Sequence, residues 1–141
     1  MPIEKSAGAV VFRKNKKIYY LLLHYQGGHW DFPKGNIEKE ERPEETAKRE
    51  IFEETGIDDV EFIEGFKETI KYFYKLKGKT IFKIVIFYLA KTRQKAVKIS
   101  WEHIGFKWLS YQEALERLTF QNAKEVLKKA DEFLKKSKRE R

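Results

Sequence analysis

The sequence contains no cysteine, three histidines and one methionine. Without thiols neither a disulfide framework nor a thiolate zinc site is available, and redox usage says nothing about compartment. His24 and His103 stand at no metal-chelating spacing and read as structural. Long apolar runs are also missing: the longest falls far short of a membrane span, and the N-terminus lacks the charged-then-apolar pattern of a signal peptide. The expectation is a cytoplasmic protein with no membrane partner. Internal repeats and low-complexity linkers are absent as well, so nothing divides the chain.

What is present is enough for one domain with a real core. The chain has 141 residues, 41% hydrophobic and 15% aromatic, and reads as a single domain over 1–141 with a frayed tail at 136–141. Charged residues reach 37% and the net charge is +8, with lysines accumulating late, among them Lys124, Lys128, Lys129, Lys135 and Lys136. A basic balance favours acidic ligands such as nucleotides or polyphosphates and is compatible with nucleic acid. The late lysines read either as a solvated helix face or as an RNA contact.

Hydrophobic periodicity orders the elements. Gly8 to Phe12 and Ile18 to Leu23 are strands separated by Asn15-Lys16-Lys17, the second aliphatic enough to be buried on both faces. His29 to Lys34 is a loop with a short extended piece, because Pro33 forces Phe32 away from helix. Val60 to Ile63 is a further short β-like run. Glu68 to Tyr74 and Thr80 to Leu89 form a hairpin about Lys77-Gly78-Lys79. Trp101-Glu102-His103 falls in a connecting loop before a last strand, Gly105 to Leu109. Ser110 and Glu113 make a capping box for a short helix from Ala114 to Leu118. A final helix carries Ala123, Val126, Leu127, Ala130, Phe133 and Leu134 on one face. Strands, one helix, more strands, then two helices argue for an α/β fold, a mixed sheet covered on both sides.

The stretch from Gly35 to Ile57 carries the chemistry. It reads as a glycine turn, a loop, and a helix opened by Pro43 and closed by Gly56. At 100° per residue, Glu50, Glu53 and Glu54 share one face within about 100° of arc. Ala47 and Ile51 make a narrow apolar stripe beside them, which sets the helix on a sheet. Two local rules are broken. Glu50 and Glu54 are like charges at i,i+4, and Glu53 and Glu54 occupy the last turn, where the dipole prefers cations. No local cation balances them, and a bound divalent ion would reverse both penalties. Carboxylates without cysteine or suitably spaced histidine select a hard cation, so Mg²⁺ or Mn²⁺ is expected and Zn²⁺ is not.

Written as a pattern, the stretch is G-x5-E-x7-R-E-U-x-E-E-x-G-U with U aliphatic, fixed by Gly35, Glu41, Arg49, Glu50, Glu53, Glu54 and Gly56. Seven fixed letters match by chance at roughly one window in a hundred million or fewer. The pattern resembles the Nudix box of the Nudix hydrolases. The resemblance implies an α/β/α sandwich and Mg²⁺-dependent hydrolysis of a nucleoside diphosphate linked to another group. Glu50, Glu53 and Glu54 would then be metal ligands, with Glu41 and Arg49 orienting them.

Beyond the box the chain is similar to the asymmetrical diadenosine tetraphosphate hydrolases, in Ser6-Ala7-Gly8, His29 to Gly35, Glu64 to Lys67, and Trp101 to Leu109. That branch cleaves its substrate to ATP and AMP by attack of water at phosphorus. Carried over residue by residue, the likeness makes His29, Lys34 and Lys83 phosphate contacts and Tyr72 a ring for adenine to stack on. Gly35 lies at the substrate. Each has a plainer reading: a solvated loop histidine, a core member of the Tyr72/Tyr74 pair, an outward-facing strand lysine with Lys77 and Lys79 as rivals. Glu102 is expected to be the general base or an additional metal ligand, since box glutamates committed to metal are poor bases, with Trp101 limiting its solvation. Glu53 is the fallback for that role. Alternatives are an RNA 5′-pyrophosphohydrolase, a diphosphoinositol or sugar-nucleotide hydrolase, and a non-catalytic nucleotide-binding module.

Overall fold

A computed structural model describes residues 1–139. Its centre is a parallel pair, β1 (Ile3–Asn15) and β7 (Lys79–Lys91), running in register from Ile3 opposite Phe82 to Phe12 opposite Lys91. All other pairings are antiparallel, so the sheet is mixed. β2 (Lys17–Tyr25) returns along β1 and is bordered by β8 (His103–Leu109). β3 (Trp30–Asp31) pairs with the end of β2, and β4 (Lys34–Asn36) with β1. β5 (Glu61–Phe62) and β6 (Glu68–Leu76) both pair with β7. The β6–β7 hairpin turns on Lys77 (φ 51°) and Gly78 (φ 79°), the paired positive values that a type I′ turn requires.

Alternation along the strands divides the core in two. Ala9, Val11, Leu21, Leu23 and Ala90 face α1 (Pro43–Thr55), which contributes Ile51. Val10, Tyr20, Leu22, Val85 and Phe87 face α2 (Tyr111–Arg117) and α3 (Gln121–Arg139), which contribute Ala114, Ala123, Val126, Leu127 and Ala130. β2 is therefore buried on both faces, as its aliphatic run predicts. The Tyr20 hydroxyl donates to Asp131 Oδ1 at 2.6 Å, tying α3 to the sheet. Among the described residues no helix is long and apolar enough to cross a membrane.

Several expectations change. Gly35 lies in strand β4 instead of a turn, because its backbone pairs with Ala7. His103 is not in the loop but opens β8, and α2 begins at Tyr111 because Ser110 is its N-cap, accepting from Glu113 N–H. The helix continues through 136–139, where the frayed tail was expected. Residues 140 and 141 lie outside the described residues. The late lysines hold local partners: Lys124 Nζ donates to Leu115 O at 2.8 Å, and Lys128, Lys129 and Lys135 pair with Glu125, Glu68 and Asp131 at 3.3, 3.4 and 3.1 Å. That favours the helix-face reading over an RNA contact.

Candidate active site

α1 forms where the sequence places it. Pro43 sits in the first turn, and Glu45 Oε1 accepts the Arg42 N–H at 2.9 Å. Gly56 adopts the left-handed conformation (φ 73°) and returns its N–H to Phe52 O at 2.8 Å. Ala47 and Ile51 are fully buried against the sheet. This seats the acids at the edge of the sheet beside β4.

The expectation that these acids lack a local cation is wrong for Glu50 and Glu53. Arg49 Nη1 donates to Glu50 Oε2 at 2.7 Å and to Glu53 Oε2 at 3.1 Å, with Glu38 at 3.7 Å. Its Nε and Nη2 grip Glu41 at 2.8 and 3.1 Å, and Nη2 also reaches Asn36 O at 3.0 Å. Glu41 accepts further from Thr46 Oγ1 at 2.6 Å and Glu38 N–H at 3.1 Å, and Arg49 above all holds its carboxyl down at about 2. Adjacent helix residues do not normally face each other, and only the length of the arginine lets it fold back along the helix. Arg49 thus bridges Glu41 to Glu50 and Glu53.

Glu54 is the buried acid, 3% exposed. Its Oε1 accepts the Lys34 N–H at 3.0 Å. Burial, with Glu50 and Glu102 adding repulsion, pushes its carboxyl up to about 8. Burial raises Glu50 too, against the pull of Arg49. Facing Glu54 Oε2 at 3.6 Å is His103 Nε2, which has no hydrogen-bond partner, while its Nδ1 lies 3.0 Å from Ser100 Oγ. The segment 98–102 is sewn to the end of α1: Lys98 N–H donates to Thr55 O at 2.9 Å and Ser100 N–H to Glu54 O at 3.3 Å. Those bonds occupy carbonyls a helix C-terminus leaves free. They also bring Glu102, distant in sequence, onto the cleft that Glu50 and Glu54 line.

Two cavities meet at Lys34. One, of about 540 Å³, is lined by His29, Asp31, Lys34, Ile70, Tyr72, Tyr74, Phe120 and Asn122 among others. The second is the acidic cleft, lined by Ser6, Lys34, Gly35, Asn36, Glu38, Glu50, Glu54, Lys83 and Glu102. Tyr72 and Tyr74 point the same way from β6, two residues apart, so both line the cavity and neither is simply core. His29 stacks on Tyr25 at 4.7 Å and stands 5.4 Å from the Phe120 ring. Lys83 lies on an inner strand, 9% exposed, with Nζ 2.9 Å from Glu4 Oε1 and 3.2 Å from Asn36 Oδ1. It is not outward-facing, whereas Lys77 lies in the exposed hairpin turn and Lys79 is the exposed first residue of β7. A Cβ at Gly35 would overlap the Glu50 carboxyl group, so a side chain there would push that carboxyl out of its place on Arg49.

The NUDIX domain model matches residues 2–130. The chain belongs to the Nudix family. It is 36% identical to the bis(5′-nucleosyl)-tetraphosphatase [asymmetrical] of Mus musculus, over 92% of this chain and 95% of that one. An RNA pyrophosphohydrolase of Nitratiruptor is 33% identical over 93% of this chain and 92% of its own. Among solved structures, a C. elegans Ap4A hydrolase binary complex superposes with a TM-score of 0.82 at 34% identity, covering 93% of this chain and 97% of that one. The protein is therefore a Nudix hydrolase, related to Ap4A hydrolases over nearly all of its length.

Nudix hydrolases generally need divalent metal ions. As the side chains stand, no three His, Asp or Glu groups among the described residues converge as a ready chelate. Arg49 explains why, since it holds Glu50 and Glu53. The donor set still fits a hard divalent cation: the acids on the cleft, Glu50, Glu54 and Glu102, offer only oxygen, and two of them are desolvated against like charge. Glu53 is not brought into the cleft; its side chain is 53% exposed and lies on Arg49. Trp101 does not shield Glu102 as expected, for the ring is itself 83% exposed and Glu102 is exposed too. The sequence reasoning missed His103, Asp31 and Phe120. Phe120 carried one signal, an aromatic residue between two helices and off the apolar face of either.

Proposed function

We propose that this Nudix hydrolase cleaves dinucleoside polyphosphates asymmetrically, turning diadenosine tetraphosphate into ATP and AMP. The observation that carries the reading is the pair of cavities joined at Lys34. An aromatic cavity of about 540 Å³ suits a nucleoside, with Tyr72 and Phe120 as rings for the base. The polyphosphate then runs over His29 and Lys34 into the acidic cleft, where Lys83 meets it. Glu50 and Glu54, with Glu53 assisting, would hold Mg²⁺ or Mn²⁺, which when bound would supply charge neutralisation on the phosphate and a more acidic water. Glu102, on the cleft wall and exposed, takes the proton of the attacking water or completes the ligand set. Arg49 and Glu41 hold Glu50 in place, and the Lys34 N–H holds Glu54.

Chromatography of products after incubation with a nucleotide panel and Mg²⁺ tests this. ATP and AMP in equal amounts from diadenosine tetraphosphate are expected. ADP alone, or no turnover of that substrate beside rapid turnover of another, would overturn the reading. The likeness to an RNA pyrophosphohydrolase and the net charge of +8 favour one second reading, removal of pyrophosphate from RNA 5′ ends. Triphosphorylated RNA in the same panel separates the two. The intact set of box acids weighs against a module that only binds nucleotide.

A further inference from the structure

We infer that Trp101 is a second nucleobase platform, the site that takes the nucleoside at the far end of a dinucleoside polyphosphate. The inference rests on the proposed substrate class. A dinucleoside has two bases, and the aromatic cavity accommodates one. Its phosphates, laid across Lys34 into the acidic cleft, carry the other nucleoside out along the cleft wall. None of the side chains lining that cleft is aromatic. The aromatic group next to it in the chain is Trp101, one residue before Glu102, and it is 83% exposed.

Exposure alone would mean little, since single apolar residues are common on surfaces. What marks this one is a free ring on a fixed backbone. Gln26 N–H donates to Glu102 O at 3.0 Å, the Gln26 side-chain amide donates to Trp101 O, and His103 N–H donates to Ser100 O at 3.1 Å. Ser100 N–H in turn donates to Glu54 O at 3.3 Å. The turn is therefore anchored to Gln26, the residue after β2, on one side and to the acid-bearing helix on the other, while the Trp101 side chain is left exposed. A base that stacks there meets a platform whose backbone is already ordered, which lowers the entropy cost of binding. Stacking needs only a π face, so the site takes any base and leaves base selection to the enclosed cavity.

The test compares diadenosine tetraphosphate with adenosine 5′-tetraphosphate, which has the same phosphates and lacks the second base, for the wild type, Trp101→Ala and Trp101→Phe. The alanine variant should lose about 5- to 100-fold in kcat/KM on the dinucleotide and stay within about twofold on the mononucleotide, as loss of one stacked base requires. Phenylalanine should restore most of the dinucleotide rate. Melting temperatures equal to wild type confirm that the exposed ring is not structural. An equal loss on both substrates, or no loss on the dinucleotide, removes the assignment and leaves Trp101 a docking residue or a bare surface one. If the wild type cleaves neither compound, the substrate class itself fails and takes this inference with it.

Discussion

Glu54 permits a prediction that reads the site without any assay of turnover. Its carboxyl is 3% exposed and titrates at about 8 instead of its ordinary 4.5, through burial first and then the charges of Glu50 and Glu102. Because the folded value is the higher one, the folded protein binds more protons than the unfolded chain between those two pH values. Stability of the metal-free protein must therefore fall as pH rises through that window, and the loss is complete above about 8. At about 1.36 kcal/mol for each pH unit between the two values, ionised Glu54 costs about 5 kcal/mol in full. Between pH 7 and 9 the change is about 1 kcal/mol, or a few °C in melting temperature for a domain of this size. His29 and His103 do not confuse this window, because burial holds both below 6.5 and their effect is spent by neutral pH.

Thermal melts in chelator at pH 7, 8 and 9 measure it. In Glu54→Gln the amide oxygen can still accept the Lys34 N–H, so the fold should persist while the slope shrinks to that left by Glu50 and Asp31, whose carboxyls burial also raises. Mg²⁺ needs the ionised carboxylate, so adding it at pH 8 should raise the melting temperature of the wild type and leave the variant nearly unmoved. An unchanged slope in the variant would show that Glu54 is not the group titrating there. Equal Mg²⁺ stabilisation of both proteins would remove it from the metal site.

Three further outcomes follow from the geometry. Tyr72→Ala should raise KM far more than it lowers kcat, by about 1–3 kcal/mol of lost stacking, and Phe120→Ala should behave alike; steady-state kinetics on diadenosine tetraphosphate check both. Gly35→Ala places a methyl group against the Glu50 carboxyl and should weaken Mg²⁺ affinity about 10- to 100-fold by calorimetry, as loss of a ligand's orientation does. Glu102→Gln should lower kcat by at least about 10²-fold with KM nearly unchanged if it is the general base, and a kcat within about threefold of wild type across pH 6 to 9 would return that role to the box, most directly to Glu53.

How much of this was legible in the sequence depends on how local each feature is. The ends of α1, the hairpin turn and the Ser110–Glu113 capping box are set by residues a few places apart, and each formed where it was read, except that Lys79 opens β7 instead of completing the turn and α2 starts at Tyr111. The strand calling for burial on both faces was equally plain. Lys83 could not be judged from β7 alone, because its partner Glu4 is supplied by parallel pairing across 79 residues of sequence. His103 meets Glu54 only because the chain at 98–100 caps the carbonyls of α1. Arg49 was read as an orienting group, yet its charge was left out of the balance of the acids, because the i,i+1 spacing to Glu50 gives no sign of the ion pair that its long side chain makes.

The fixed letters of the box now have separate physical duties, and these explain why their order matters more than their acidity. Gly56 stops the helix in a conformation that ordinary side chains resist, which frees Thr55 O and Glu54 O to receive the segment that carries Glu102. Gly35 leaves room for the Glu50 carboxyl. Glu41 fixes one side of the Arg49 guanidinium so that its Nη1 can hold Glu50 and Glu53 together. In the absence of a cation that arginine offsets the repulsion that the sequence left unanswered. On the proposed reading a divalent ion would compete with Arg49 for Glu50 and Glu53, whereas Glu54, desolvated and out of the arginine's grip, would gain the most from it. The energetic asymmetry among three glutamates on one helix face thus comes from burial and from one neighbouring cation, and on the proposed reading it is Glu54 that would couple metal binding to the stability of the fold.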